Sequence, residues 1–339
     1  MTVLREQAIR DANCTRYRPG QTAGHYESFF LRANHPTRPL AFWIRYTIYS
    51  PDGRPADGLG ELWAIVFDGE SARHVAVKRE VPLAGCRFAS SGLGVEVDGA
   101  RLDAGRLTGE ASRNGHTLAW DLTFRGKAAP LFLLPLKLYA TKLPRAKSLV
   151  ALPMAVFDGA LTVDGRALEV ASWIGSQNHN WGSRHTDHYA WGQVAGFDTH
   201  PDSFLEVATA RLRFGRWWTP SMTPIVLRHR GEEIAMNRLG ETLCARAQVR
   251  YFEWTFAAES RRWRLDGRIA APRSAFVGLR YYNPPGGTKY CLNSKLAACE
   301  ITLTDKRTAQ GGTEVLSTAH RAAFEILTDD ATEHGMPLD

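Results

Sequence analysis

The densest run of side chains able to do chemistry lies between Gly175 and Gln193, GSQNHNWGSRHTDHYAWGQ. It carries the imidazoles of His179, His185 and His188 and the carboxylate of Asp187. Imidazole titrates near neutrality, so His179 is a candidate acid or orienting group. It reads equally well as a buried histidine bonded to backbone, because a buried polar group must be satisfied in either role. His179, His185, Asp187 and His188 also offer the nitrogen and oxygen ligands that zinc or iron takes. In a strand, however, His185 and Asp187 point one way and His188 the other. A polar turn is the better reading, and no metal is assigned. Asp187 stays as a second candidate acid. Glu206, between Leu205 and Val207, is a third: a carboxylate desolvated in a barrel lumen can donate a proton, and one on a solvated face does not.

These groups need a scaffold, and the sequence supplies one by alternation. Tyr189, Trp191 and Gln193 share one face of a strand, with Ala190, Gly192 and Val194 on the other. A lumen lined by these aromatics and one amide would suit an apolar ligand with a single polar handle; a filled barrel core is the alternative. Tyr281, Tyr282 and Asn293 are weaker candidates for orienting a ligand. Period-two patterning recurs along the chain, as at Leu118, Trp120, Leu122 and Phe124, or Phe252, Trp254 and Phe256. Strands are expected at His25–Arg32, Pro39–Tyr49, Glu61–Phe67, His74–Val81, Tyr189–Phe197, Phe204–Phe214, Ala275–Tyr282 and Tyr290–Thr302. Turn signals separate them: Pro51-Asp52-Gly53, Asp98-Gly99, Asn114-Gly115 and Asp164-Gly165. Helical periodicity is confined to the first dozen residues, where Leu4, Ala8 and Ile9 suggest a short amphipathic helix. The fold class is therefore all-β, built as sandwiches or barrels.

At 339 residues the chain exceeds one ordinary domain. A boundary near residue 172 divides it into 1–172 and 173–339. The 42 basic against 35 acidic residues leave +7, which suits an anionic ligand or peripheral contact with a membrane surface. The basic residues are scattered; Arg211, Arg213 and Arg216 beside Trp217 and Trp218 come nearest to a cluster. Without a recognition motif, nucleic acid is excluded as a partner. Five widely spaced cysteines without a CxxC pair argue against a disulfide framework and for a reducing, cytoplasmic location. The mixed-charge start does not read as a signal peptide. No run approaches a membrane span, and the most apolar one, Pro130 to Ala140, is broken by Pro135 and Lys137. There is no phosphate-binding glycine loop and no GxSxG elbow.

Gly175–Gly182 (GSQNHNWG) with Tyr189–Gln193 (YAWGQ) resembles the signature of the carotenoid 1,2-hydratases, the AttH-like proteins and, more distantly, tocopherol cyclases and lipocalin-like Diels–Alderases. Trp120–Phe124, the Pro144–Pro153 stretch, Tyr281–Gly286 (YYNPPG) and Cys291–Ser294 extend the resemblance over most of the chain. It implies two lipocalin-like (calycin-type) antiparallel β-barrels with an apolar cavity near their junction, working without a cofactor on polyene, prenyl or polyketide molecules. It also places Asn178, Asn180, Trp181, His188, Tyr189, Trp191 and Gln193 in the ligand wall, Asn180 and Trp181 reading more readily as structural. In the hydratases the motif begins with an Asp, the proposed acid that protonates an alkene. Asn178 stands there in this chain, and an amide cannot protonate carbon. The expected activity is a hydratase, isomerase or cyclase on a hydrophobic small molecule, with His179, Asp187 or Glu206 as acid. The alternatives are a non-catalytic carrier or sensor of an apolar ligand, and a scaffold without a cavity.

Overall fold

The structure is a computed structural model that describes residues 2–307 and 312–338. A helix, α1 (Thr2–Arg10), precedes an otherwise nearly all-β chain. The first strands are β1 (His25–Asn34), β2 (Leu40–Ser50), β3 (Leu59–Asp68), β4 (Val75–Pro82), β5 (Arg87–Phe88), β6 (Gly94–Val97), β7 (Ala100–Asp103), β8 (Arg106–Arg113), β9 (His116–Arg125), β10 (Leu131–Phe132), β11 (Ala146–Val163) and β12 (Arg166–Gly182). Then follow β13 (His188–Ala195), β14 (Phe204–Arg211), β15 (Arg213–Phe214), β16 (Trp217–Trp218), β17 (Ile225–His229), β18 (Glu232–Met236), β19 (Arg246–Arg250) and β20 (Glu253–Glu259). The last are β21 (Trp263–Ala270), β22 (Val277–Tyr282), β23 (Thr288–Asp305) and β24 (Gly312–Thr328).

The strands form two large curled antiparallel sheets, in keeping with two lipocalin-like barrels. The first runs β4-β3-β2-β1-β12-β11-β9-β8-β7-β6-β5, and β4 packs back against β8 and β9. The second runs β18-β17-β14-β13-β24-β23-β21-β20-β19. One compact unit takes the chain up to Phe132 with Leu136–His185 and Tyr282–Thr288; the other takes Leu133–Pro135, Thr186–Tyr281 and the chain from Lys289 onward. The division falls after His185 and not near residue 172, because β12 stays in the first sheet to Gly182.

In the first unit Phe29, Leu31 and Ala33 share a face with Phe42, Ile44 and Tyr46, and this face meets Leu62, Leu107, Trp120, Phe157 and Trp173 in one core. The opposite face of β1 is buried as well, so every residue of that strand is buried. The second core gathers Val194, Leu205, Leu227, Trp254, Leu265, Leu292 and Phe324. Two of the longest strands, β11 and β12, meet at the Asp164-Gly165 turn. β11 bends at a bulge between Phe157 and Gly159, where Gly159 has φ 134°. A Cβ there would stand 2.2 Å from the Asp121 carbonyl oxygen. Strain in that backbone region and the clash act together. Gly159→Ala is expected to lower unfolding free energy by about 2 kcal/mol or more, read by urea denaturation; an unchanged midpoint would show that the bulge relaxes freely.

Candidate functional site

The HNWG motif lies on β12 against β1, paired so that His179 faces Phe29 and Trp181 faces Glu27. Glu27 has no solvent exposure. Its carboxylate accepts from His179 Nε2 at 2.7 Å, His25 Nε2 at 2.9 Å, and the backbone N–H groups of Arg16 at 2.7 Å and Tyr17 at 2.8 Å. His179 Nδ1 donates to the Ala12 carbonyl at 2.7 Å, and the ring stacks on Phe29. Both ring nitrogens thus face acceptors, and neither is left for a substrate. Asn180 Oδ1 accepts from Ser28 Oγ. The Arg16 guanidinium lies 5.0 Å from the Trp181 ring, which packs with Ala12 and Leu149. Gly182 lets β11 approach, since a Cβ there would be 2.3 Å from the Arg145 carbonyl. The motif therefore fastens residues 12–17 across two strands. Asn178 projects from the other face of β12 and donates to Ser176 Oγ at 2.9 Å.

β13 carries the largest difference from the sequence reading. Ala190 and Val194 belong to the core of the second sheet, and a Cβ on Gly192 would meet Ile269 at 2.4 Å. Tyr189, Trp191 and Gln193 therefore point away from the lumen, on the opposite sheet face. There they meet Glu206, which is also buried and turned from the core. Its carboxylate accepts from Trp191 Nε1 and Gln193 Nε2, each at 2.8 Å. On the same face Lys295, with no solvent exposure, donates to Asn293 Oδ1 and, at 2.8 Å, to Glu325 Oε1. Tyr189 Oη reaches Glu325 at 3.5 Å, and the Lys295 ammonium sits 5.6 Å from the Trp191 ring. The sequence reading included Trp191, Gln193, Glu206 and Asn293 but missed Lys295 and Glu325. Lys295 follows the polar pair Asn293-Ser294 and Glu325 interrupts the apolar run Ala322–Leu327, so in sequence each reads as a lone solvated charge.

The inward face of β13 is made of small residues, and at one end of the second sheet a cavity of about 630 Å³ opens. Its walls include His188, Ala190, Thr209, Arg211, Tyr251 and Ile326. His188 lies edge-on to Trp218 and 3.5 Å from Asp329. Burial lowers its pKa below the usual imidazole value, against the opposing pull of Asp329. Burial raises that of the Tyr251 phenol, whose Oη bonds Asp330 at 3.0 Å. Arg211 stacks over Trp218, 5.3 Å from its centroid.

The remaining sequence candidates are dispersed. His185 lies in the first unit, stacked on Tyr26 at 3.9 Å. Asp187, in the second unit, accepts the Arg213 backbone N–H at 2.8 Å. Tyr282 sits in the first unit with its ring 4.4 Å from Lys78 Nζ; Tyr281 is buried in the second. None of the five cysteines is in a disulfide, and among the described residues no helix is long and apolar enough to cross a membrane.

Burial raises the Glu27 pKa, but hydrogen bonds from His179 and His25 outweigh it and hold the carboxyl at about 2, below the ordinary 4.5. A depressed folded-state pKa stabilises the fold above the unfolded value, and that stabilisation is lost as pH falls from about 4.5 towards 2. The shift corresponds to about 3 kcal/mol. Glu27→Gln is expected to melt lower at pH 7 and to show a shallower loss of stability between pH 5 and 2. A variant whose acid melting profile matched that of the unmodified chain would remove Glu27 from this role.

No protein-family profile matches the chain. An uncharacterized protein of Mycobacterium tuberculosis H37Rv is 25% identical over 332 residues, covering 91% of this chain and 89% of that one. An AttH-like protein of Nitrosomonas europaea superposes with a TM-score of 0.56 at 12% identity, over 93% of this chain and 98% of its own. Kievitone hydratase of Nectria haematococca gives 0.58 at 12% identity, over 95% and 92%. CghA gives 0.53 at 13% identity, over 93% of each. At such identities the likeness is one of fold. The chain has the lipocalin-like two-barrel architecture of these structures, the grouping that its GSQNHNWG and YYNPPG segments resemble.

Proposed function

We propose that the protein is a cofactor-free enzyme of the hydratase, isomerase or cyclase kind, acting on a hydrophobic small molecule held in the cavity of the second unit. The observation that carries this reading is the cavity itself: about 630 Å³, within the range of small-molecule sites, with Ala190, Ala247, Val249, Ile326 and Leu327 set among polar side chains. A polyene, prenyl or polyketide chain would lie against Ala190, Ile326 and Leu327, its polar end towards Arg211, His188 and Tyr251. Confinement supplies the reactive conformation. The kinship in fold with kievitone hydratase supports a hydration-type reaction.

Of the candidate acids, His179 is engaged through both nitrogens, Asp187 accepts a backbone N–H and Glu206 lies on the sheet face away from the lumen. His188 is the ionisable group in the cavity wall best suited to move a proton. Its lowered pKa keeps the imidazole neutral further into the acid range, so it can take a proton from carbon or water and return it.

The test is extraction and mass spectrometry of apolar molecules that copurify, followed by turnover of the identified class. His188→Gln is expected to reduce kcat by about a hundredfold or more while leaving ligand affinity within about threefold. The acid limb of the kcat/KM profile is expected to have its midpoint below the usual imidazole value. Full turnover in His188→Gln would overturn the assignment of the proton carrier. A ligand that binds but is never converted would make the protein a carrier, and no uptake of any apolar molecule would remove both readings.

A further inference from the structure

A second chemical cluster lies at the other end of the same strands. His200 follows β13, His229 ends β17 and Glu314 stands near the start of β24, whereas the cavity wall uses the start of β13 and the ends of β14 and β24. The ligand atoms of His200, His229 and Glu314 all lie within 4.8 Å of one another. We infer that these three side chains form a binding site for a divalent transition cation, with zinc as the best chemical match.

The donor set of two imidazoles and one carboxylate is one that zinc takes, with an open fourth position for water. His200 Nε2 is 3.0 Å from Glu314 Oε1, and His229 Nε2 is 2.9 Å from Oε2. Ligand atoms of a tetrahedral zinc site stand about 3.3 Å apart; the three here lie within 4.8 Å of one another, close enough for side-chain rotation to bring them onto one ion. The far ring nitrogens are also placed: His229 Nδ1 on Ser203 Oγ at 2.8 Å, His200 Nδ1 on Thr199 Oγ1 at 3.0 Å. A hydroxyl either donates or accepts. Each therefore accommodates the tautomer in which Nδ1–H donates to oxygen and the Nε2 lone pair faces the ion, the outer-shell arrangement that orients histidine ligands. His229 and Ser203 are buried, and His200 and Glu314 are about a quarter exposed, so solvent reaches the site without flooding it. Arg230 pairs with Glu314 Oε1 from a side chain that is 72% exposed. It competes with the ion but is free to swing into water. A bound cation would join the turn after β13, β17 and β24 at the end of the sheet remote from the cavity, which makes it a staple and not a group that touches substrate.

The test uses the full-length chain, stripped with chelator, titrated with zinc chloride by calorimetry and melted with and without the metal. One equivalent of zinc and a raised Tm are expected. His200→Ala and Glu314→Gln should each weaken binding about tenfold or more, and Arg230→Ala should tighten it by removing the competing charge. Magnesium, which prefers an all-oxygen octahedral shell, should not displace zinc. Zinc binding well below one equivalent, equal affinity in His200→Ala, or weaker binding in Arg230→Ala would each overturn the site.

Discussion

A carboxylate with no solvent exposure is the constraint on which the first unit depends. Burying an ion costs several kcal/mol unless donors surround it, and Glu27 is surrounded: one imidazole from its own strand, one from β12, and two backbone N–H groups from Arg16 and Tyr17. Satisfying it draws residues 12–17 across β1 and β12. The same demand fixes His179, whose other nitrogen closes on the Ala12 carbonyl. In this chain the HNWG motif is a clamp. The Asn at 178 lies on the other strand face and takes no part in it, so the exchange of acid for amide there leaves the clamp intact.

The second unit divides its work between two faces of one sheet. Inward, Ala190 borders the cavity at the sheet's end, whereas Gly192 makes room for Ile269 in the core. Outward, Glu206, Lys295 and Glu325 are buried with amides and an indole. Losing one partner of such a cluster would strand a desolvated charge at a cost of about 3–5 kcal/mol. The outward network ties the strands together, and most of the inward face packs into the core.

Much of this fold was legible, because alternation reports which residues share a strand face. The expected His25–Arg32, Pro39–Tyr49 and Tyr290–Thr302 strands fall within or beside β1, β2 and β23. α1 forms where Leu4, Ala8 and Ile9 suggest it. What alternation does not report is which face is inside when both are buried. The alternation at Tyr189, Trp191 and Gln193 is compatible with a lumen wall or a filled core, yet the small residues between them are the ones that face inward. Glu27 escaped notice for a related reason: between Tyr26 and Ser28 a glutamate looks like a solvated position. Phe204–Phe214 reads as one strand but breaks at Leu212 into β14 and β15, where the Leu212 backbone N–H turns to Thr219 Oγ1.

We propose a division of labour in which the motif on β12 holds the fold and the cavity walled by β13, β19 and β24 holds the ligand. Equilibrium binding of a fluorescent fatty-acid analogue to two variants tests it directly. Ala247→Trp fills the cavity from β19, whereas His179→Gln opens the clamp. Affinity reduced about tenfold or more in Ala247→Trp, with His179→Gln binding within about threefold of the unmodified chain but melting at a lower temperature, is the expected result. Affinity lost in His179→Gln and kept in Ala247→Trp would contradict it.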